Sequence, residues 1–386
     1  MKTIVVLGVG LAGAPLIRQI MRTTVLKNKD YKMIVVSPTT HFHWPIAMPR
    51  VVVPGQMPDE KIMYPLEPTF REYPKDKFEF VLGSASSLDP DGNTVTVALD
   101  DGTSRDVSYD TLFIATGSSA KDEMPWKLVG TAANTFDRIH ALQKQVESAD
   151  TVVVAGGGLT GAETAGEIGY QYGKNRKKEV YFIYNNELPL SPAVMDSVRK
   201  QTKLELERMN VKLMPKTTVT KATIQGRDTI LQLRHADGTT KTLTTQAYLP
   251  TTGMTPNTSF VPAKMLDSNG YVKQTSFLRA EGYKNIFVVG DAGNLEDNRA
   301  LAADGQAGHL IKVLPGYFDG GSLAEYKVNT KPMYGITLGQ SKGTGQMGSF
   351  KVFSFLIWLL KGRFLGTDKA PGVAAGKMTM SATFEK

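Results

Sequence analysis

Cysteine is absent from all 386 residues. That excludes a redox-active dithiol, a thiolate nucleophile, an iron–sulfur cluster and any disulfide staple, and it accords with a reducing compartment. Histidine is scarce: His41, His43, His140, His235 and His309 are the whole set. No two of them share a His-x-x-x-His spacing with nearby carboxylates, so no metal site can be read. Long hydrophobic runs are missing too, and none approaches the length needed to cross a bilayer. No secretory signal is visible, since the first residues already read as a strand, and Met1-Lys2 lacks the glycine that N-myristoylation requires. These absences lead to the expectation of a cytoplasmic protein, long enough for two or three domains.

What is present is glycine in two specific places. Gly8-Val9-Gly10-Leu11-Ala12-Gly13 follows the β-forming run Ile4-Val5-Val6-Leu7, and Gly156-Gly157-Gly158-Leu159-Thr160-Gly161 follows Val152-Val153-Val154. Each run leads into a helix-like stretch. In such loops the first glycine (Gly8, Gly156) permits the tight turn out of the strand. The second (Gly10, Gly158) lets the backbone approach a pyrophosphate, and the third (Gly13, Gly161) allows the helix to pack closely on the sheet. The pyrophosphate is held by free N–H groups at the positive end of the helix. One loop is a weak signal, but two in the right context suggest two bound dinucleotides, for which flavin plus nicotinamide is the usual pair.

The chain between these loops reads as a nested α/β arrangement. Thr3–Leu7, a helix over 12–26 with Pro15 in its first turn, and Met33–Val36 form a first βαβ unit. Phe78–Leu82, Thr94–Ala98 and Thr111–Ala115 read as strands separated by Asp-Gly turns, the last ending at Ala115-Thr116-Gly117. A second βαβ unit spans about 150–186, with a helix from Gly161 to about Gly173. A charged helix over 196–210 and a strand over 248–252 ending at Gly253 follow it. The order implies that a first dinucleotide-binding domain (1–121 and 247–310) is interrupted by a second (122–246). A small C-terminal α+β domain (311–386) comes last.

Several residues outside the loops carry chemistry. A ribose-binding acid is expected at the end of each unit's second strand, yet Ser37 stands there in the first unit and Asn185-Asn186 in the second. Arg176, Lys177 and Lys178 precede the second of these strands as candidates to help with a 2′-phosphate, so NADH against NADPH stays open. Gly290-Asp291 closes an apolar strand, where the Asp reads either as a helix cap or as a partner for a flavin ribityl hydroxyl. The stretch from Arg299 to Gln306, including Leu301, suits a helix start beside the isoalloxazine. Glu163 and Glu167 lie one turn apart on the second loop's helix. Such pairs are often solvated, but Glu163 starts beside the second pyrophosphate site and could reach the nicotinamide ribose or carboxamide.

The net charge of +8 is uneven: from Lys312 onward ten basic residues face four acids, a surplus of six. That is either a solvated basic face or one drawn to anionic headgroups or an acidic partner. Nucleic acid is not expected, because the cations form no recognisable binding module. Phe350–Leu360 is almost uninterruptedly apolar. Its plainer reading is a buried element of the C-terminal domain. The alternatives are a wall for an apolar acceptor or a membrane-surface element flanked by Lys361 and Arg363.

Both loops, Ala115-Thr116-Gly117, Thr252-Gly253 with Pro256-Asn257, and Gly290-Asp291 together resemble the pyridine-nucleotide-disulfide oxidoreductase superfamily in its cysteine-free branch. Phe42-His43 followed by Arg50, Glu163 after the second loop, and Gly343-x-Gly345-Gln346 narrow the similarity. They match the apoptosis-inducing-factor-like, ferroptosis-suppressor-like proteins of fungal type, over nearly the whole chain. The resemblance implies an FAD-dependent NAD(P)H oxidoreductase passing hydride from nicotinamide through flavin to a quinone-like apolar acceptor. It also implies that Gly8, Gly10, Gly13, Ser37, Ala115, Gly117 and Asp291 contact FAD, that Glu163 contacts the nicotinamide nucleotide, and that Arg50 lies near the flavin. Ser37 departs from the acid that usually binds the FAD ribose, and the myristoylation signal of animal relatives is missing. The expected cofactors are FAD and NADH or NADPH, and the expected assembly is a monomer or homodimer with peripheral membrane contact through the basic C-terminal domain. A tailoring oxidase or monooxygenase of a specialised metabolite and a non-catalytic redox-sensing scaffold are the alternatives.

Overall fold

Apolar runs too short for helices and lacking alternation are the pattern of parallel strands buried on both faces. In the computed structural model, which describes residues 1–385, they form the parallel cores of two sheets. The first has seven strands in the order Ile286–Val288, Thr111–Ile114, Lys2–Leu7, Tyr31–Ser37, Phe78–Asp89, Thr94–Leu99, Ser104–Ser108. The first five run parallel, and the last two turn back antiparallel as a meander. Ile4, Val5 and Val6 in the central strand are wholly buried, each stabilising the sheet by about 1.5–3 kcal/mol. The helix Gly13–Ile20, which widens into a π-turn over Met21–Val25, covers one face together with Ala300–Phe318.

The second sheet has the order Val211–Met214, Glu179–Ile183, Thr151–Ala155, Ala247–Pro250 and is parallel throughout. An antiparallel sheet of Thr217–Gln225, Asp228–His235 and Thr240–Thr245 packs on it through Leu231 and Leu233. The chain leaves the first sheet after Ile114 and rejoins it at Ile286, so one α/β layer is nested within the other. The two crossing segments pair with each other, Ser118–Ala120 against Met254–Pro256. The strand Ala247–Pro250 hydrogen-bonds to Thr151–Ala155 and so sits in the second sheet, not the first as its position in the expected boundaries put it. An apolar run identifies a parallel strand without naming its neighbour.

The C-terminal part is an antiparallel meander of Met333–Leu338, Lys342–Met347 and Phe350–Val352. The helix Ser354–Ile357 follows it and widens through Trp358–Gly362. Ile357 is the buried residue of this helix. It fits because Gly343 and Gly345 lack a Cβ, which at Gly345 would lie 2.8 Å from Ile357 Cδ1. Among the described residues no helix is long and apolar enough to cross a membrane, and no cluster of His and carboxylates could hold a metal ion.

Candidate active site

At the C-terminal end of Lys2–Leu7 the chain turns through Gly8 at φ +98°. A Cβ there would collide with the Ala115 carbonyl, and one on Gly13 with the Gly8 carbonyl. Gly10 differs: a Cβ there would meet no atom within 4 Å. Two glycines are therefore demanded by backbone packing and the third faces open space, the division of labour a pyrophosphate cradle requires. The space is a cavity of about 550 Å³ lined by this loop, Ser37–Thr39, Ser84, Ala115–Ser119, Lys127 and Gly290-Asp291. It lies beyond the carboxyl ends of the parallel strands, where open α/β sheets bind ligands.

Asp291 is buried. Its Oδ2 accepts from the Ser118 hydroxyl at 2.8 Å and from Lys127 Nζ at 2.9 Å. The Gly290 N–H donates to Gln306 Oε1 at 2.9 Å, which pins the turn to the following helix. Ser37 is buried on the cavity wall, and its hydroxyl accepts from the Thr39 N–H at 3.3 Å. Ala300 and Ala303 line the cavity from the helix start, whereas Leu301 points outward and is half exposed. His43, also on the wall, is buried with no partner for Nε2 among the described residues. Burial, and then the Lys127 cation, hold its imidazole down at about 3.

The second loop repeats the geometry. Gly156 has φ +124°, a Cβ on it would strike Thr251, and one on Gly161 would strike the Gly156 carbonyl, while Gly158 faces open space. Gly253, also at φ +124°, lies beside the Lys121 side chain on the crossing ribbon. Both carboxylates on the helix Leu159–Ile168 are buried rather than solvated. Glu163 Oε1 accepts from the Thr337 N–H at 2.9 Å, the Thr337 hydroxyl at 3.0 Å and Lys361 Nζ at 2.6 Å. Its Oε2 accepts no hydrogen bond among the described residues. Glu167 Oε1 accepts from Arg50 Nε at 3.1 Å and Nη2 at 2.8 Å, and the same Nη2 donates to the Gly362 carbonyl at 2.9 Å. Burial pushes the Glu167 carboxyl up, and the Arg50 hydrogen bonds oppose it. Arg50 thus serves the second loop's helix and the C-terminal segment and is not on the wall of the cavity.

The basic turn Arg176–Lys178 precedes the strand Glu179–Ile183, so it lies at that strand's far end from the glycine loop. Lys178 Nζ donates there to the Glu147 and Ala149 carbonyls at 2.7 and 2.6 Å. At the correct end stand Asn185, Asn186 and Glu187, the last paired with Lys216.

Residues 2–307 match the pyridine nucleotide-disulphide oxidoreductase family. The chain belongs to that family. FAD and a nicotinamide nucleotide, NADH or NADPH, are its cofactors, and the two glycine loops with an open middle glycine fit them. Among relatives, the chain is 35% identical over 379 residues to oxidoreductase ptaL of Pestalotiopsis fici, covering 98% of this chain and 100% of that one. It is 24% identical to ferroptosis suppressor protein 1 of Taeniopygia guttata, covering 95% and 94%. Among solved structures, the sulfide:quinone oxidoreductase of Aquifex aeolicus superposes with a TM-score of 0.76 at 18% identity, over 97% of this chain and 92% of that one. The resemblance read from the glycine loops and their surroundings therefore holds, as does the α/β fold class.

Lys127, Thr337 and the Glu163 bond to Lys361 were not legible as site features. Lys127 sits in no motif, and Thr337 and Lys361 reach Glu163 from positions 174 and 198 residues away.

Proposed function

We propose that the protein is an NAD(P)H:quinone-type oxidoreductase whose final acceptor is an apolar, quinone-like molecule. The observation that carries the reading is the pairing of two glycine cradles in a chain without cysteine. With no thiol to relay electrons, they must leave the flavin directly for an external acceptor. FAD, when bound, supplies the redox chemistry, taking up a hydride equivalent from the nicotinamide and passing electrons on.

The chain's own residues bind and orient. Gly8, Gly10 and Gly13 with Ala115, Thr116 and Gly117 would hold the FAD phosphates and the ring approach. Ser37 would meet the adenosine ribose, with only a hydroxyl's strength. Asp291, oriented by Ser118 and Lys127, would accept from the ribityl chain, with Gly290 bringing the backbone close. Leu301, the second residue of the helix Ala300–Phe318, would act only through that helix. Gly156, Gly158, Gly161 and Gly253 would hold the nicotinamide nucleotide, and Glu163 would accept from it through Oε2. Arg50 acts through Glu167 as a positioning residue for that helix. The likeness to a sulfide:quinone oxidoreductase and to a ferroptosis suppressor protein supports the acceptor class.

The test is anaerobic reduction of the purified protein by NADH and by NADPH, followed by mixing with a short-chain quinone or with air. Fast reoxidation by the quinone and slow reoxidation by air is the expected result. Fast peroxide formation in air with no response to quinone would replace this reading by that of an oxidase.

A further inference from the structure

Folded chains bury long apolar segments, yet the segment 350–364 does the reverse. Phe350, Phe353 and Leu360 are 78%, 79% and 78% exposed, and Phe355, Leu359 and Phe364 are also exposed. The plainer expectation, a buried element of a small domain, is overturned. Contiguous exposed apolar side chains of this kind mark an interaction surface.

The exposure is not a helix waiting to roll inward, because its opposite face is already tied down. Ile357 fills the space left by Gly343 and Gly345. Trp358 Nε1 donates to the Gln340 carbonyl at 2.8 Å. Lys361 Nζ donates to Glu163 and to the Gly335 carbonyl at 2.9 Å, and the Gly362 carbonyl accepts from Arg50. Rotating the phenylalanines inward would break all of these bonds and leave buried charges unpaired.

Charge decides what covers the face. Lys342, Lys351, Arg363 and Lys369 are exposed within and beside it, and Asp368 is the one exposed acid in 341–370. A second copy docking through the same patch would set these cations against their own kind. An anionic bilayer offers phosphates at the rim and acyl chains beneath, matching cations beside aromatic and leucine side chains. We propose that this face docks the protein on the surface of an anionic lipid bilayer, with Phe353 and Leu360 inserted and Lys351 and Arg363 at the headgroups. The proposal is independent of the electron acceptor, since it rests on exposure and charge alone.

The test is co-sedimentation of the flavin-loaded protein with quinone-free vesicles of phosphatidylcholine, with and without phosphatidylserine. Partitioning should be about tenfold stronger with phosphatidylserine and should weaken with added salt. Phe353→Ser with Leu360→Ser should lower it at least about tenfold. Lys351→Glu with Arg363→Glu should bring it down to the phosphatidylcholine level. All variants should keep the wild-type flavin spectrum and melting temperature, because every substituted side chain is exposed. No partitioning onto phosphatidylserine vesicles would overturn the proposal. So would a concentration-dependent dimer that the Phe353→Ser, Leu360→Ser variant dissolves, since the patch would then be a contact between copies.

Discussion

Lys361 and Glu163 stand 198 positions apart, and Lys361 Nζ lies 2.6 Å from Glu163 Oε1. With the two bonds from Thr337, this contact fastens the C-terminal meander to the helix that opens at the second glycine loop. A carboxylate accepting a charged hydrogen bond holds its partners more tightly than a neutral amide does. Glu163→Gln should therefore speed hydrogen exchange at the Thr337 amide by about tenfold or more. Hydrogen exchange read by mass spectrometry over 333–338 checks this, and an unchanged rate would show that the contact does not hold the meander.

Arg50 and Glu167 form the more deeply buried pair, with side chains 6% and 1% exposed. Removing one member leaves the other charged and without its counter-ion, which costs about 3–5 kcal/mol. Glu167→Gln and Arg50→Met should each lower stability by that amount in chemical denaturation. The double variant should recover much of it, because no buried charge remains. A double variant as unstable as the sum of the singles would contradict the pairing.

The glycines of the second loop should separate by role. A Cβ at Gly161 strikes backbone, whereas one at Gly158 meets nothing within 4 Å. Gly161→Ala should cost about 1–3 kcal/mol of stability. Gly158→Ala should leave stability within about 0.5 kcal/mol of wild type and weaken nicotinamide binding about tenfold or more. Melting curves alongside nucleotide titrations distinguish the two.

Coenzyme choice should ignore the basic turn. Arg176 and Lys177 precede a five-residue strand, about 16 Å long at the usual rise, and the second glycine loop, where the nucleotide is proposed to bind, lies past its other end. Replacing both by alanine should change the NADPH-to-NADH affinity ratio by less than about twofold. Lys216→Ala removes a cation at the correct end and should weaken NADPH about fivefold relative to NADH. Titrations of each variant with both nucleotides decide it.

His43 sets a pH dependence. Its imidazole is held at about 3 in the folded protein against 6.5 in the unfolded chain, so between those values the unfolded chain binds the extra proton. Its contribution is complete above about 6.5 and is lost as the pH falls towards 3, by about 1.4 kcal/mol per pH unit. Wild type should lose about 2 kcal/mol more than His43→Gln between pH 6.5 and pH 5. Parallel denaturation curves at the two pH values would expose a failure.

The nested sheets were legible because strand, glycine loop and helix occur together in a few consecutive residues, so Gly8–Gly13 and Gly156–Gly161 declare their surroundings locally. Gly290-Asp291 became legible only beside them. The sheet that strand 247–250 joins is not legible, because its apolar run carries no mark of its neighbour. The burial of Glu163 and Glu167 is not legible locally, because their covers, Thr337, Lys361 and Arg50, come from remote parts of the chain. The exposure of Phe353 and Leu360 was least legible of all, since an apolar run is normally a mark of burial.

Two glycine cradles serving one flavin are the centre of the proposed function. The most direct test is an anaerobic titration of the purified, flavin-loaded protein with NADH and NADPH, following the visible flavin absorbance, for wild type and Gly158→Ala. Stoichiometric bleaching of wild type, restored by quinone and shifted to higher nucleotide concentration in the variant, is the predicted result. A flavin that neither nucleotide bleaches, or that bleaches identically in the variant, would contradict it.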